Sequence, residues 1–249
     1  MKYVYALLMM IFSMSLNAAP IPEFSAKYEV YYGDYSLGTG RYELAQTAED
    51  QYKFSFVSKM RFFLMFTDKR WVSSTFEYKD DQILPIRYEH KREGTGPNYY
   101  DVIKFDAAAN LIDSVHKKDH YKQDYNALIR DGLSVQLQLM LDLRRGVKHP
   151  KYLILDENEL KEREFSFIKE ETLKIEGKVY DCVLYQVVRS SNSRKTQMWF
   201  SIKDNYQPVM MAHYSKEKKR FNARLVSYHE EKAIAVPEKK PLKEEVSAL

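Results

Sequence analysis

The fold of this chain is decided by the sequence FSAKYEVYY at residues 24–32. Every second residue in it is apolar: Phe24, Ala26, Tyr28, Val30 and Tyr32. Because successive side chains of a β-strand point to opposite faces of a sheet, this alternation predicts a strand with one buried face and one solvated face. The Gly-Asp pair at 33–34 then signals a turn.

The same pattern continues on the C-terminal side of this strand. Short alternating segments run from residue 35 to residue 115 and again from residue 151 to residue 229. Turn signals separate them at intervals of about 8–12 residues, which is typical of an antiparallel meander. The chain has 20 Tyr and 13 Phe against 8 Gly and 8 Pro, and aromatic side chains suit a half-buried pleated surface. We predict a mainly β fold, either a curved antiparallel sheet or a partly closed β-barrel.

One segment, residues 131–146, departs from the strand pattern. Asp131 is a candidate N-cap and Gly146 a candidate C′ residue of a helix. Its apolar residues fit helical spacing as Leu133, Leu137, Met140 and Leu141, but they also alternate as Leu133, Val135, Leu137, Leu139, Leu141 and Leu143. The end signals and the Leu, Gln and Met content favour a helix over residues 131–145 across the opening of the sheet. A strand remains the alternative.

The first 19 residues have the pattern of a secretory signal peptide. Lys2 precedes an apolar run at 3–16, and small residues follow it, so we expect cleavage after Ala18 or Ala19. The run is shorter than the roughly 20 apolar residues that cross a bilayer. We therefore expect a periplasmic protein in a Gram-negative cell, with no membrane span in the mature chain.

The mature chain is expected to form a single β-rich domain over residues 20–229. Residues 230–249 are rich in Glu, Lys, Pro and Ala without periodicity and are predicted to be a disordered charged tail. The formal net charge is only +4, which is too small to indicate nucleic-acid binding.

No motif for catalysis or cofactor binding is visible. The sequence has no hydrolase elbow, no glycine-rich phosphate loop, no dinucleotide fingerprint and no paired cysteines. Cys182, the one cysteine, is flanked by Tyr180, Val183 and Leu184, which indicates a buried structural residue. We expect no enzyme activity and no cofactor.

Two histidine patterns could form a site. His116 and His120 stand four residues apart, a spacing open to a metal ion, but the two lysines between them oppose a cation. His90 and His213 each follow a proline by five positions, after a polar turn and an aromatic strand. A hairpin used twice explains this repeat better than a two-histidine site, because proline at a strand entry loses no ladder hydrogen bond. We predict no metal site.

One apolar cluster is out of step with the strands: Phe62, Phe63, Leu64, Met65 and Phe66. Five consecutive large side chains cannot all face one side of a strand. They form either a short helix or loop that plugs one end of the sheet, or an exposed surface for a lipid-like ligand or a partner protein. The flanking cations Arg61, Lys69 and Arg70 would suit an amphiphile with an anionic head.

Three segments carry a resemblance to a known family: AKYEVYYG at 26–33, DGLS at 131–134, and TQMWFS at 196–201 with Pro-Val at 208–209. In this order they resemble the exported bacterial proteins of domain of unknown function DUF3108, over most of the mature chain. The resemblance implies an exported β-rich domain without established activity or catalytic residues. A curved sheet with a plugging helix is also similar to periplasmic lipoprotein carriers and other lipid-binding half-barrels.

Together these features favour a periplasmic binding or carrier protein for an amphiphilic or cell-envelope ligand. The predicted ligand-binding residues are the five of the cluster, Phe62, Phe63, Leu64, Met65 and Phe66, together with Trp71 and Trp199. The alternative is an assembly factor or structural protein that binds another envelope protein. An envelope hydrolase is less favoured, since no nucleophile and base are visible together.

Overall fold

The computed structural model describes residues 21–62, 66–189, 193–215 and 218–230. The predicted signal peptide at 1–19 lies outside these residues, as does the predicted tail apart from Glu230. Phe63, Leu64 and Met65 of the apolar cluster also lie outside them.

The described chain forms fifteen strands and one helix. The N-terminal strands are β1 (Phe24–Tyr32), β2 (Tyr35–Ala48), β3 (Gln51–Phe62), β4 (Phe66–Lys79), β5 (Gln82–Gly94), β6 (Tyr99–Asp106), β7 (Leu111–His116), β8 (Asp119–Asp124) and β9 (Ile129–Asp131). After helix α1 (Ser134–Arg144) come β10 (Lys151–Asp156), β11 (Glu159–Ile175), β12 (Lys178–Val187), β13 (Arg194–Ser201), β14 (Gln207–Ser215) and β15 (Lys218–Glu230).

All fifteen strands belong to one sheet, in the order β8-β7-β6-β5-β4-β3-β2-β1-β15-β14-β13-β12-β11-β10-β9. Neighbouring strands are antiparallel except for β9 and β10, which are parallel. The first strand therefore pairs with the last, and two meanders extend from this central pair to the edges β8 and β9. The sheet is not closed into a barrel by a strand ladder. The predicted mainly β fold with one helix is confirmed.

The two halves of the sheet curl towards each other. Asn158, in the turn between β10 and β11, accepts a hydrogen bond of 2.6 Å from the Ser114 hydroxyl on β7. The same side chain donates a bond of 2.8 Å to the carbonyl of Asp119 on β8. Side chains thus connect strands near opposite edges of the sheet, so the molecule is a partly closed barrel.

Helix α1 is enclosed by the curved sheet. Nine of its eleven residues are buried, whereas a surface helix buries one stripe. This explains why the sequence fits both a helical and an alternating period, since apolar residues are needed on nearly every side. Around the helix, the largest fully buried side chains from the strands include Tyr52, Phe76, Ile83 and Leu155.

The start of the helix differs from the prediction. The N-cap residue is Leu133, not Asp131. Asp131 lies two residues earlier, where its Oδ1 accepts the backbone N–H of both Leu133 and Ser134 at 2.8 Å. Its Oδ2 accepts the Ser74 hydroxyl of β4 at 2.6 Å. The carboxylate therefore accepts N–H groups at the start of the helix, as an N-cap side chain does, and it also joins the helix to the sheet.

The helix ends as predicted. Arg145 is the C-cap, and Gly146 follows with a φ of 79°. A residue in the left-handed region at C′ is a common helix terminator, and glycine adopts that conformation without steric penalty.

Both proline–histidine segments follow a hairpin turn, as the sequence suggested, although the first loop has two residues between Lys79 and Gln82 and the second has five between Ser201 and Gln207. The turn before Pro85 has positive φ at Asp80 and Asp81, with values of 51° and 60°. The turn before Pro208 has positive φ at Asn205 and Tyr206, with values of 52° and 56°. In the two-residue loop, two consecutive left-handed residues define the type I′ turn, whose twist matches that of the flanking strands.

We predict that Asp131→Ala lowers the free energy of unfolding by about 2–4 kcal/mol, because two buried amides and one hydroxyl lose their acceptor. Asp131→Asn should cost less, since its amide oxygen can still accept both N–H groups. Urea denaturation followed by circular dichroism measures both, with the exposed Glu77→Ala as the control. Equal stability of the Ala variant and the control would contradict the assigned role.

Candidate functional site

The apolar cluster of the sequence lies at the tip of a hairpin. Phe62, the last residue of β3, pairs with Phe66, the first residue of β4. Phe62 and Phe66 thus form the last described pair of a β-hairpin, and residues 63–65, over which a helix or loop was one expectation, lie outside the described part of the chain. Phe66 keeps 51% of its surface exposed, and Phe62 is half-buried.

Two glycines fit the neighbouring strands against the base of this hairpin. Gly38 of β2 pairs with Met60, and Gly94 of β5 pairs with Asp68. Their φ values are 147° and 143°. A Cβ atom would overlap with the carbonyl oxygen of Lys59 in the first case and of Thr67 in the second, so no other residue fits without moving the hairpin.

Aromatic rings from the far end of the chain meet the hairpin. The ring centroid of Phe62 lies 6.4 Å from that of Phe221 on β15, and Phe221 lies 5.1 Å from Tyr32 on β1. Phe221 and Tyr32 keep 38% and 41% of their surface exposed. We call Tyr32, Phe62, Phe66 and Phe221 the aromatic rim. The sequence carried no signal for the contribution of Phe221, because its contact depends on the pairing of the first and last strands.

A set of polar side chains lies beside the rim on the concave face. We call Asp68, Arg70, His90, Arg92 and Tyr99 the arginine–histidine cluster. On β4, Asp68 and Arg70 share a face with Ser74, which contacts the buried Asp131 at the helix. Arg70 pairs with Arg92, and Arg92 pairs with Tyr99, so strands β4, β5 and β6 all contribute to this face.

Asp68 is bound by two arginines. Its Oδ1 accepts Nε of Arg70 at 2.8 Å, and its Oδ2 accepts Nε of Arg92 at 2.9 Å. Arg92 also donates to the carbonyls of Pro97 and Thr95. Two guanidinium charges face one carboxylate, which leaves the trio with a net charge of +1. The side chain of Arg70 is 38% exposed and that of Arg92 is 14% exposed. Arg70 is therefore the arginine of the trio that a ligand can reach more easily.

The titration of the cluster follows from its burial and charges. Burial would raise the pKa of the Asp68 carboxyl, but the hydrogen bonds and charges of Arg70 and Arg92 hold it below its ordinary value. Burial, and next the charge of Arg70, lowers the pKa of the His90 imidazole. Burial raises the pKa of the Tyr99 hydroxyl. At neutral pH the imidazole and the phenol are therefore uncharged, and the net positive charge comes from the arginines.

One polar atom of the cluster lacks a partner. Nε2 of His90 is buried and forms no hydrogen bond within the described part of the chain. The imidazole ring packs against Tyr99, with centroids 5.1 Å apart. Beyond Tyr99, His116 Nδ1 lies 3.0 Å from Asp101 Oδ2.

The two predicted tryptophans lie apart from the rim. Trp71 follows Arg70 on β4 and so faces the convex side, where it is 39% exposed with Lys91 Nζ 5.5 Å from its ring. Trp199 on β13 is 5% exposed, and its Nε1 donates to Glu171 Oε1 at 2.7 Å. Five strands lie between β4 and β13 in the sheet. Of the four predicted residues that the structure describes, Phe62, Phe66, Trp71 and Trp199, it brings together Phe62 and Phe66.

The histidines of the sequence patterns are not assembled into one site. His116 pairs with Asp119 and His120 with Val115, so the two imidazoles lie on opposite faces. His90 and His213 lie on β5 and β14, with five strands between them in the sheet. Among the described residues, no three His, Cys, Asp or Glu side chains form a group that could hold a metal ion.

Cys182 occupies the buried strand position expected of a structural residue. Burial, and next the charge of Asp181, raises the pKa of its thiol to about 11. The thiolate is therefore scarce at neutral pH, and this thiol is a poor nucleophile.

The concave face is filled at its other end. Beside the helix, the space bounded by Ile21, Phe24, Met140 and Tyr228 measures about 20 Å³, room for no more than a water molecule. The candidate site is therefore the surface made by the aromatic rim and the arginine–histidine cluster. No helix within the described residues is long and apolar enough to cross a membrane.

The chain was compared with known proteins. A family model described as protein of unknown function (DUF3108) matches residues 27–241. No curated protein matches. A β-barrel-like protein of domain of unknown function DUF1849 from Brucella abortus is 11% identical, with a TM-score of 0.59 over 86% of this chain and 100% of that one. This similarity concerns the fold alone.

Two further solved structures show weaker similarity. A protein from Bacteroides fragilis, provisionally described as exported and with a YmcC-like fold, is 10% identical at a TM-score of 0.30. A protein from Parabacteroides distasonis, provisionally described as a lipoprotein, is 10% identical at a TM-score of 0.33. Each alignment covers 84% of this chain and 96% of the other.

We predict that Asp68→Asn lowers the free energy of unfolding at pH 7 by about 1–3 kcal/mol, because two guanidinium groups lose their counter-charge. The pKa of Asp68 is lower in the folded state than its ordinary value of 3.8. Its contribution is therefore complete above that value and disappears as pH falls through the folded-state pKa.

The measurement is urea denaturation of both proteins between pH 7 and pH 3, with the exposed Asp124→Asn as the control. The stability difference should stay constant down to about pH 5 and shrink below about pH 4. A difference independent of pH over the whole range would contradict the assigned ion pairs.

Proposed function

Because the chain belongs to the family of proteins of unknown function DUF3108, we propose its role from its geometry. The protein is a non-catalytic binding or carrier protein of the periplasm whose ligand is an amphiphile of the cell envelope. The apolar part of the ligand lies against the aromatic rim, and its polar head points to the arginine–histidine cluster.

The observation that carries this proposal is that an apolar surface, the aromatic rim, lies next to a charged surface, the arginine–histidine cluster, on one face of the sheet. The rings of the aromatic rim are half-exposed although they form a continuous group, and exposed apolar groups of this kind usually mark an interaction site. On the face that carries Phe62 and Phe66, the next cross-strand pair is Met60 of β3 with Asp68 of β4. An apolar surface and a charged one are thus adjacent, as an amphiphile requires.

Two further features support the proposal. The N-terminal sequence predicts export, which brings the protein to the compartment where envelope lipids pass. The concave face is filled beside the helix, so a ligand has room only at the end that carries the aromatic rim. There the polar head contacts side chains near the surface, and the ligand can be released.

The second candidate, an assembly factor that binds another envelope protein, is supported by the edge strand β8. Within the described residues, β8 pairs with β7 and has no strand on its other side. A free edge can accept a strand from a partner. However, β8 carries Asp119, Lys122 and Asp124, and charged residues on an edge disfavour strand addition. The amphiphile proposal is therefore preferred.

We predict that Phe66→Ser weakens the binding of n-decyl maltoside by about fivefold or more, because an apolar ring of the rim is lost. Isothermal titration calorimetry below the critical micelle concentration measures the affinity. Val57→Ser is the matched control, since Val57 is 44% exposed on the convex face of the same hairpin.

Extraction of lipid from the protein purified from periplasm gives an independent test. Mass spectrometry should find an amphiphile that co-purifies with the native protein and is reduced in the Phe66→Ser variant. Equal binding by the two variants in the calorimetric test, together with no co-purifying amphiphile, would contradict the proposed function.

A further inference from the structure

The spacing of Arg70 and Arg92 fits one small oxyanion. Both guanidinium groups contact the carboxylate of Asp68, with Nε-to-oxygen distances of 2.8 and 2.9 Å. The protein's own carboxylate therefore demonstrates that a single anionic group can contact both arginines at once. Planar guanidinium groups bind carboxylate and phosphate oxygens in this manner.

The trio is not neutralised by Asp68. Two positive charges and one negative charge leave +1, and Arg70 remains 38% exposed on the side chain. Arg92 is anchored by the carbonyls of Pro97 and Thr95 as well as by Asp68. The arginines thus form a fixed positive group with one open side.

His90 supplies a further polar atom next to the arginine trio, on the same face of the sheet. Arg70 and Val72 are two residues apart on β4, and Val72 pairs with His90, so Arg70 is a diagonal neighbour of the imidazole. Its buried Nε2 has no partner within the described part of the chain. A buried polar atom without a partner is energetically unfavourable and requires an explanation. An oxyanion bound at Arg70 provides that partner when the imidazole carries its proton on Nε2.

The other carboxylates near His90 have partners of their own. Asp101 lies 3.0 Å from His116 Nδ1 and also accepts the backbone N–H of Lys117. Asp156 lies 3.3 Å from Lys161 Nζ. Lys161 thus offsets the charge of Asp156, and within the described residues neither Asp101 nor Asp156 forms an ion pair with Arg70 or Arg92.

We propose that Arg70, Arg92 and His90 bind the phosphate group of the ligand. A phosphate presents several oxygens in different directions, which suits three donors, whereas a carboxylate has two oxygens in one plane. Asp68 then acts as an internal anion that holds the arginines in place and competes with the ligand. This deepens the proposed function, on which it rests for the apolar part of the ligand, and it names the head as a phosphate.

The test compares four probes by isothermal titration calorimetry: n-decyl phosphate, n-decyl maltoside, sodium decanoate and inorganic phosphate. The protein is the exported chain purified from periplasm. We expect n-decyl phosphate to bind at least tenfold more tightly than the other three, because it alone has both a phosphate and an apolar chain.

The variant Arg70→Gln should reduce the affinity for n-decyl phosphate about tenfold or more and leave that for n-decyl maltoside unchanged. Arg61→Gln is the matched control, because Arg61 is exposed at the end of β3 and faces the convex side. Asp68→Asn should have the opposite effect and bind n-decyl phosphate severalfold more tightly than the native protein. Circular dichroism confirms that each variant is folded.

The outcomes distinguish the two proposals. Equal affinity for n-decyl phosphate and n-decyl maltoside, unaffected by Arg70→Gln, would overturn the phosphate site and leave the amphiphile function standing. Inorganic phosphate binding as tightly as n-decyl phosphate would support the phosphate site and contradict the amphiphile function. Binding of none of the probes would overturn both. A loss of affinity in Asp68→Asn, measured on folded protein, would contradict its role as a competing anion.

Discussion

The enclosed helix α1 is the constraint on which the rest of the structure depends. A sheet of fifteen strands buries its concave face only if something fills the space inside its curl, and here the filler is a helix with apolar residues on nearly every side. A helix enclosed in this way needs partners for its first N–H groups, which are otherwise unsatisfied. Asp131 provides two of these partners and is itself connected to Ser74 of the sheet. Burial raises the pKa of this carboxyl, while its hydrogen bonds oppose that change. The solvation free energy that the Asp131 carboxylate loses on burial is thus partly offset by the hydrogen bonds that join the helix to the sheet.

The polar surface at the rim end is a consequence of the same geometry. The helix has eleven residues, whereas β2 and β4 have fourteen residues each and a strand rises more than twice as far per residue. The strands therefore extend well beyond the helix, and their side chains on the concave face are no longer covered by it. At that point the residues on β4 change from Phe76 and Ser74 to Arg70 and Asp68. Polar groups there are stabilised by one another through ion pairs, which are short and mostly shielded from solvent.

Much of this fold could be predicted from the sequence, because the relevant signals are local. Alternation of apolar residues, the polar turns before Pro85 and Pro208, and Gly146 at the helix end all depend on neighbouring residues. The candidate site is different. The contact of Phe62 with Phe221 and the sharing of Asp68 by Arg70 and Arg92 depend on the register between strands, and the sequence does not reveal which strands are neighbours. The residue type of Trp199 predicts ligand binding, but its strand position directs it to Glu171. The sequence predicts Asp131 as the N-cap, whereas in the structure Asp131 lies two residues before the N-cap Leu133 and binds Ser74 of the sheet.

The pairing of β1 with β15 has a consequence for how the chain folds. The first strand lies at the centre of the sheet, and its partner on one side is the last strand of the described chain. If the chain is exported from its N-terminus, β1 cannot pair with β15 until the whole domain has been exported. During that interval the hydrogen-bonding edge of β1 is open to other chains, and closing so long a loop is slow. The N-terminal meander can assemble on β1 through β2 as it emerges, but helix α1 and the C-terminal half come later. If the chain is exported in this way, completion of export is the step that removes the open edge of β1.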